Sequence, residues 1–147
     1  MELQTIFNMV LQHLARQNHG ATDGEHGCAY RADEGRKCAV GYLLSDAVYD
    51  DDVEGEVVGD DNIDAAIVES IGELPYGAQA VLARLQSVHD GDYEAVCAGT
   101  PLNFCALSKE RRLQRIMQTV EQLASDYDLI VPRAIYDWAK QYGYERQ

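Results

Sequence analysis

Apolar side chains recur along this chain at steps of three and four residues, the spacing that gathers them on one face of an α-helix. The fold class predicted from this pattern is mainly α, with five or six short helices around one core. No internal repeat or linker divides the sequence, so a single domain over residues 1–147 is expected. The apolar stripes predict helices over residues 3–17, 63–71, 78–88, 108–125 and about 135–142.

Capping residues mark several of the predicted helix ends. Asp60 or Asp61 is expected to cap the 63–71 helix, because a carboxylate accepts hydrogen bonds from the free N–H groups of a first turn. Gly72 is expected to end the same helix. Ser108 is the expected N-cap of the longest helix.

The region between the first two predicted helices has a different pattern. Residues 28–31 and 36–40 flank the turn-like sequence "ADEG" and predict a small β-hairpin near residues 28–40, which places the fold at the margin of α+β. The second arm could instead open a helix through Leu44. Residues 47–61 carry too many like charges to form a stable helix alone and contain glycine, so an exposed loop is expected there.

The composition is that of a globular protein, with 46% apolar and 25% charged residues in a chain of 147. The N-terminal stretch "MELQTIFNMV" lacks the basic flank and cleavage site of a signal peptide, and no apolar run reaches the length of a membrane span. These features favour a soluble protein in the cytoplasm of a host cell, without a membrane partner. A reducing compartment would keep the cysteines as thiols, namely Cys28, Cys38, Cys97 and Cys105.

Charge is the feature that most restricts the function. Acidic residues outnumber basic ones by 25 to 12, which gives a formal net charge of −13, and no Lys or Arg lies between Lys37 and Arg84. Such a surface repels phosphate groups, so direct nucleic-acid binding is not expected. It is either a solvated face or a docking surface for a basic partner. Eleven acidic residues lie between the two cations: Asp46, Asp50, Asp51, Asp52, Glu54, Glu56, Asp60, Asp61, Asp64, Glu69 and Glu73.

Cys38 has two interpretations. Arg36 and Lys37 beside it would lower the pKa of its thiol, while His89 and Asp90 could supply a base and an orienting carboxylate, as in a cysteine-dependent enzyme. The simpler interpretation is a packed structural thiol, because the residues that follow it are small and apolar. On the sequence alone, no residue is assigned as catalytic, and Cys38, His89 and Asp90 stay the alternative.

Two metal sites can be considered, and neither pattern is complete. A zinc site lacks the close cysteine pair that structural sites commonly present, and its ligands would be His19, His26, Cys28 and Cys38. The sequence "DDDVEGEVVGDD" matches part of an EF-hand calcium loop, but it ends in Asp where the longer Glu is expected. The ligands of this alternative calcium site would be Asp50, Asp52, Glu54 and Asp61. Neither a metal nor a cofactor is predicted.

Two stretches of the sequence resemble known proteins. The stretch "CAYRADEGRKCAVGYLLSDAVYDDDVEG", followed by "LQSVHD", resembles small uncharacterised proteins of phage and prophage genomes. These share Cys-x-Tyr-Arg, Gly-x-Lys-Cys-Ala-x-Gly and Leu-Gln-x-x-His-Asp patterns. The resemblance covers roughly the first ninety residues and, more loosely, the 108–125 helix. It implies a phage origin, but the group has no established activity and supplies no site.

Small acidic phage proteins often act by stoichiometric binding, which favours an inhibitor or modulator of a host or defence-system protein. An acidic surface suits a target whose nucleic-acid groove is basic, so the partner would be a basic protein. A cysteine-dependent enzyme and a metal-binding module are the alternatives. The oligomeric state does not follow from the sequence. The predicted partner-binding residues are Asp46, Asp50, Asp51, Asp52, Glu54, Glu56, Asp60 and Asp61.

Overall fold

The fold is described from a computed structural model, which covers residues 1–17, 30–31, 37–86 and 109–145. The described part is mostly helical, as the sequence predicts. None of its helices has the length and apolar character needed to cross a membrane. The helices are α1 (Leu3–Gln17), α2 (Ala39–Leu43), α3 (Asp61–Ile71), α4 (residues 78–86), α5 (Lys109–Asp126) and α6 (Arg133–Gln141), with a short 3₁₀ helix at Asp51–Val53.

Each predicted helix is present within one or two residues of its expected bounds where the structure describes it. The stripe of α1 buries Ile6, Phe7 and Val10, and α3 buries Ile63 and Ile67. The buried residues of all six helices belong to one hydrophobic cluster. Fully burying an aliphatic or aromatic side chain of this size contributes about 1.5–3 kcal/mol, so this core is the main source of stability.

The predicted β-hairpin is only partly found. Within the described residues it is reduced to one isolated antiparallel bridge between Arg31 and Lys37. The second arm becomes helical at Ala39, the alternative that the sequence left open. Cys38 causes this change, because its sulfur accepts a hydrogen bond from the Gly41 N–H at 3.2 Å and so caps the first turn of α2.

Gly41 lets α2 pack directly on the chain at Tyr30. A Cβ atom at this position would lie 1.9 Å from the Tyr30 carbonyl oxygen, so no side chain fits there. The same carbonyl accepts a hydrogen bond from the Cys38 N–H at 3.2 Å. Val40 and Leu43 of the same helix are buried in the core. Gly41 therefore allows the two backbone segments to approach closely.

Helix α4 is tied to three other helices by side chains on its surface. The Val40 N–H of α2 donates to the Gln86 side chain at 3.2 Å, and Gln79 donates to the Asp64 carboxylate of α3 at 2.7 Å. Arg84 forms a 2.8 Å ion pair with Asp126 of α5. This guanidinium, and then the Gln122 amide, lower the pKa of the Asp126 carboxyl by hydrogen bonding to its charged form.

Helices α5 and α6 end in the same hydrogen-bonded motif, built on different residues. In α6, Gly143 takes a left-handed φ of 95°, and Tyr144 donates its N–H to the Ala139 carbonyl five residues back. In α5, Asp128 takes the equivalent position with a φ of 54°, and Leu129 donates to the Ala124 carbonyl. Both ends are Schellman motifs, but only the first has the glycine that a left-handed residue favours.

Several predictions fall on residues that the structure does not describe. These are the Ser108 cap, the tip of the hairpin at residues 32–36, and residues 87–88 of the fourth helix. The single domain over residues 1–147 stays a prediction as well.

Candidate functional site

The acidic segment, residues 46–61, is held in a defined conformation by its own polar side chains. Asp50 caps the 3₁₀ helix by accepting a hydrogen bond from the Asp52 N–H at 3.0 Å. Val53 is buried in the core and anchors the middle of the segment. The exposed loop that the charge density predicts is thus a short 3₁₀ helix between turns.

Glu54 is the acidic residue most deeply involved in the fold. Its carboxylate accepts hydrogen bonds from the Tyr30 N–H at 2.9 Å, the Arg31 N–H at 3.1 Å and the Tyr49 hydroxyl at 2.7 Å. Burial raises the pKa of the Tyr49 phenol, and its hydrogen bond to Glu54 raises it further. Glu54 therefore joins residues 30–31 to the acidic segment, and its oxygens are already occupied by donors of the chain itself.

Arg31 supplies a cation beside this segment. Its guanidinium forms a 2.9 Å ion pair with Asp46, donates to the Leu44 carbonyl at 2.8 Å, and lies 4.4 Å from the centre of the Tyr49 ring. The sequence pattern indicates no role for Arg31 or Tyr49. Their contacts with Asp46 and Glu54 do not follow a helical or strand spacing, so they could not be predicted from the sequence.

The N-terminus of α3 is capped by a residue that the sequence did not predict. Neither Asp60 nor Asp61 accepts a capping hydrogen bond from the helix; Asp60 accepts one from the Val57 N–H before it, at 2.9 Å. Glu56 accepts from the N–H of Ile63, in the first turn, at 3.0 Å. Asp60 thus occupies the N-cap position, as predicted, but its carboxylate does not make the expected capping hydrogen bond. Glu56, seven residues before Ile63, makes it instead.

The remaining carboxylates of the segment point to solvent. Asp46, Asp50, Asp51, Asp52, Asp60 and Asp61 are exposed, whereas Glu54 and Glu56 are half-buried. Within the described ranges, Arg31 is the single cation within salt-bridge distance of any of these eight residues. The structure thus divides the predicted partner-binding set into three groups. Four carboxylates accept backbone N–H groups (Asp50, Glu54, Glu56 and Asp60), and Asp46 pairs with Arg31. Within the described residues, the carboxylates of Asp51, Asp52 and Asp61 make neither a hydrogen bond nor an ion pair.

Two aliphatic side chains are exposed within or shortly after the acidic segment along the chain. Val57 is 67% exposed in the loop before α3, and Val68 is 40% exposed on the helix itself. Val68 is one of the apolar residues in the 63–71 stretch that predicts α3. Buried Ile63 and Ile67 are one helical turn apart, and the step from Ile67 to Val68 turns the latter away from the core. The helical spacing of these residues in the sequence was therefore enough to predict that Val68 lies outside the buried face.

Cys38 is fully buried, with no surface exposed to solvent. Its sulfur accepts the Gly41 N–H, and the residues around it form the contact between α2 and Tyr30. His89 and Asp90, the other members of the alternative catalytic set, lie outside the described residues. The geometry gives Cys38 a structural role at a helix terminus, as the simpler interpretation expected.

The metal alternatives find no support in the described part of the chain, where no group of three or more His, Cys, Asp or Glu side chains is placed to hold an ion. In the EF-hand-like loop, Glu54 is turned inward to the Tyr30 and Arg31 N–H groups, and Asp50 caps a 3₁₀ helix. Of the zinc set, His19, His26 and Cys28 lie outside the described residues.

In comparisons with protein families, with characterised proteins and with solved structures, the chain matches none of them.

Proposed function

We propose that this chain acts by stoichiometric binding to a basic protein of a host cell or of its defence system, as an inhibitor or modulator. The partner would offer a groove lined by Lys and Arg, and the acidic segment would compete there with nucleic acid. The residues proposed to make contact are those whose carboxylates are exposed and not used by the fold, above all Asp51, Asp52 and Asp61.

One observation carries this proposal. Six exposed carboxylates of the acidic segment lie within sixteen residues of chain, and in the described residues one arginine compensates one of them. Holding like charges close together costs free energy in the isolated protein, and a cationic partner would remove that cost. The hydrogen bonds of Glu54 and Glu56 keep the segment folded, so less conformational entropy is lost on binding.

The resemblance to phage proteins supports a target in the host cell but does not identify it. Val57 and Val68 would add apolar contact area beside the charges, as the cores of protein interfaces commonly contain. A cysteine-dependent enzyme is the weaker proposal, because the sulfur of Cys38 is buried and accepts a hydrogen bond from the Gly41 N–H.

The test uses two triple variants with the same change of net charge. The first reverses the carboxylates that make no hydrogen bond in the described structure (Asp51→Lys, Asp52→Lys, Asp61→Lys). The control reverses three exposed carboxylates elsewhere (Glu2→Lys, Asp137→Lys, Glu145→Lys). Proteins captured from host lysate by the wild type are purified, and their affinities for all three chains are measured at low and high salt.

We expect one-to-one binding that weakens steeply with salt, because exposed charges are screened beyond about 10 Å at 0.1 M ionic strength. The first triple variant should bind at least tenfold more weakly, and the control should stay close to the wild type. The bound chain should also displace duplex DNA or RNA from the partner. Salt-insensitive binding, or equal losses in the two variants, would contradict the proposal.

A further inference from the structure

A groove lies between α1 and α6, and its described lining carries one positive charge. It has a volume of about 400 Å³, within the size range of small-molecule sites. Its described lining contains one cation, Arg16, and no carboxylate, although the chain as a whole has a net charge of −13. Local and global charge are therefore opposite in sign. The walls are formed by Gln12, Ala15, Arg16, Ala134, Ile135 and Trp138.

Arg16 is oriented by its own helix. Its Nε–H donates to the Gln12 carbonyl at 3.2 Å, which holds the start of the guanidinium against α1. In the described part of the chain, no carboxylate lies within salt-bridge distance of Arg16. The side chain is exposed, so its remaining N–H groups can bind an anion without first breaking an ion pair.

The rest of the lining is mostly apolar. Ile135 is buried, and the half-buried Trp138 ring lies one helical turn further along α6. The groove thus combines an apolar wall with one cation.

We propose that the groove between α1 and α6 binds a small amphipathic organic anion, with its carboxylate on Arg16 and its hydrocarbon part against Ile135 and Trp138. This site uses helices that take no part in the acidic segment. It would therefore bind its ligand whether or not the chain also binds a basic protein.

Trp138 is the single tryptophan of the chain, so its fluorescence reports directly on the groove. The probe is octanoate, and the matched probe is octylammonium, which has the same hydrocarbon chain and the opposite charge. The global charge of the protein favours the cation, whereas the local charge of the groove favours the anion. We expect octanoate to change the Trp138 emission with saturation, and octylammonium not to.

Three variants complete the test. Arg16→Gln should weaken octanoate binding at least tenfold, whereas Lys140→Gln, an exposed cation of α6 outside the lining, should leave it unchanged. Ala134→Phe fills the groove and should abolish the signal, with circular dichroism showing that each variant is folded. The proposal is overturned if octanoate gives no saturable change, if octylammonium binds as well, or if Arg16→Gln binds octanoate as the wild type does.

Discussion

Two glutamates of the acidic segment carry the same charge but differ in what the fold requires of them. The Glu54 carboxylate accepts three hydrogen bonds, two of them from the backbone at Tyr30 and Arg31. The Glu56 carboxylate accepts one from the Ile63 N–H and one from the exposed Asn62 side chain. Substituting each by glutamine removes one negative charge in the same part of the surface, so the comparison isolates the hydrogen bonds.

In Glu54→Gln, the amide keeps one oxygen, which can still accept from the Arg31 N–H and the Tyr49 hydroxyl. Its NH₂ group then faces the Tyr30 N–H, and two donors meet. Tyr30 is buried, so this N–H cannot turn to water instead. Losing a charge-assisted bond and weakening two others should lower the free energy of unfolding by about 2–4 kcal/mol.

In Glu56→Gln, the amide oxygen can keep the Ile63 N–H. The Asn62 side chain is exposed and can turn its own oxygen toward the new NH₂ group. We expect a loss of less than about 1 kcal/mol, partly offset by relief of charge repulsion.

Urea unfolding followed by circular dichroism measures both variants, and thermal unfolding should show Glu54→Gln lower in Tm by roughly 5–15 °C. Equal stabilities of the two variants would refute the structural role of Glu54. They would also return Glu54 to the set of carboxylates available to a partner.

Three further predictions test other parts of the fold. Gly41→Ala should lower the free energy of unfolding by about 3 kcal/mol, because its Cβ would lie 1.9 Å from a carbonyl oxygen; a loss below about 1 kcal/mol in urea unfolding would argue against this packing. Asp128→Gly should raise stability by about 0.5–1 kcal/mol, since glycine takes a left-handed φ without strain; a decrease would show that the side chain compensates for the strain. Tyr49 stabilises the fold through its protonated phenol, whose pKa is raised. That stability is complete below the ordinary pKa of about 10 and is lost as the pH rises through the higher value of the folded state, so unfolding midpoints should fall above pH 10 in the wild type and less steeply in Tyr49→Phe.

The sequence alone was sufficient to predict the helices, because a helix depends mainly on residues that lie close together along the chain. Ile63 and Ile67 lie on one face whenever the chain is helical, and each helical hydrogen bond joins residues four apart. Gly72 likewise ends α3 where predicted, with a φ of 92° that favours glycine. The mainly α fold class follows from these local rules and does not depend on how the helices pack.

Which charged side chains are used by the fold and which remain available to a ligand or partner depends on the tertiary structure. The backbone donors of Glu54 lie 23 and 24 residues earlier in the chain, at Tyr30 and Arg31, where Gly41 allows α2 to pack closely. Arg16 of the first helix and Trp138 of the last helix line the same groove. A carboxylate or a guanidinium looks the same in any sequence, and its role depends on the donors, acceptors and charges that long-range packing brings within a few ångströms.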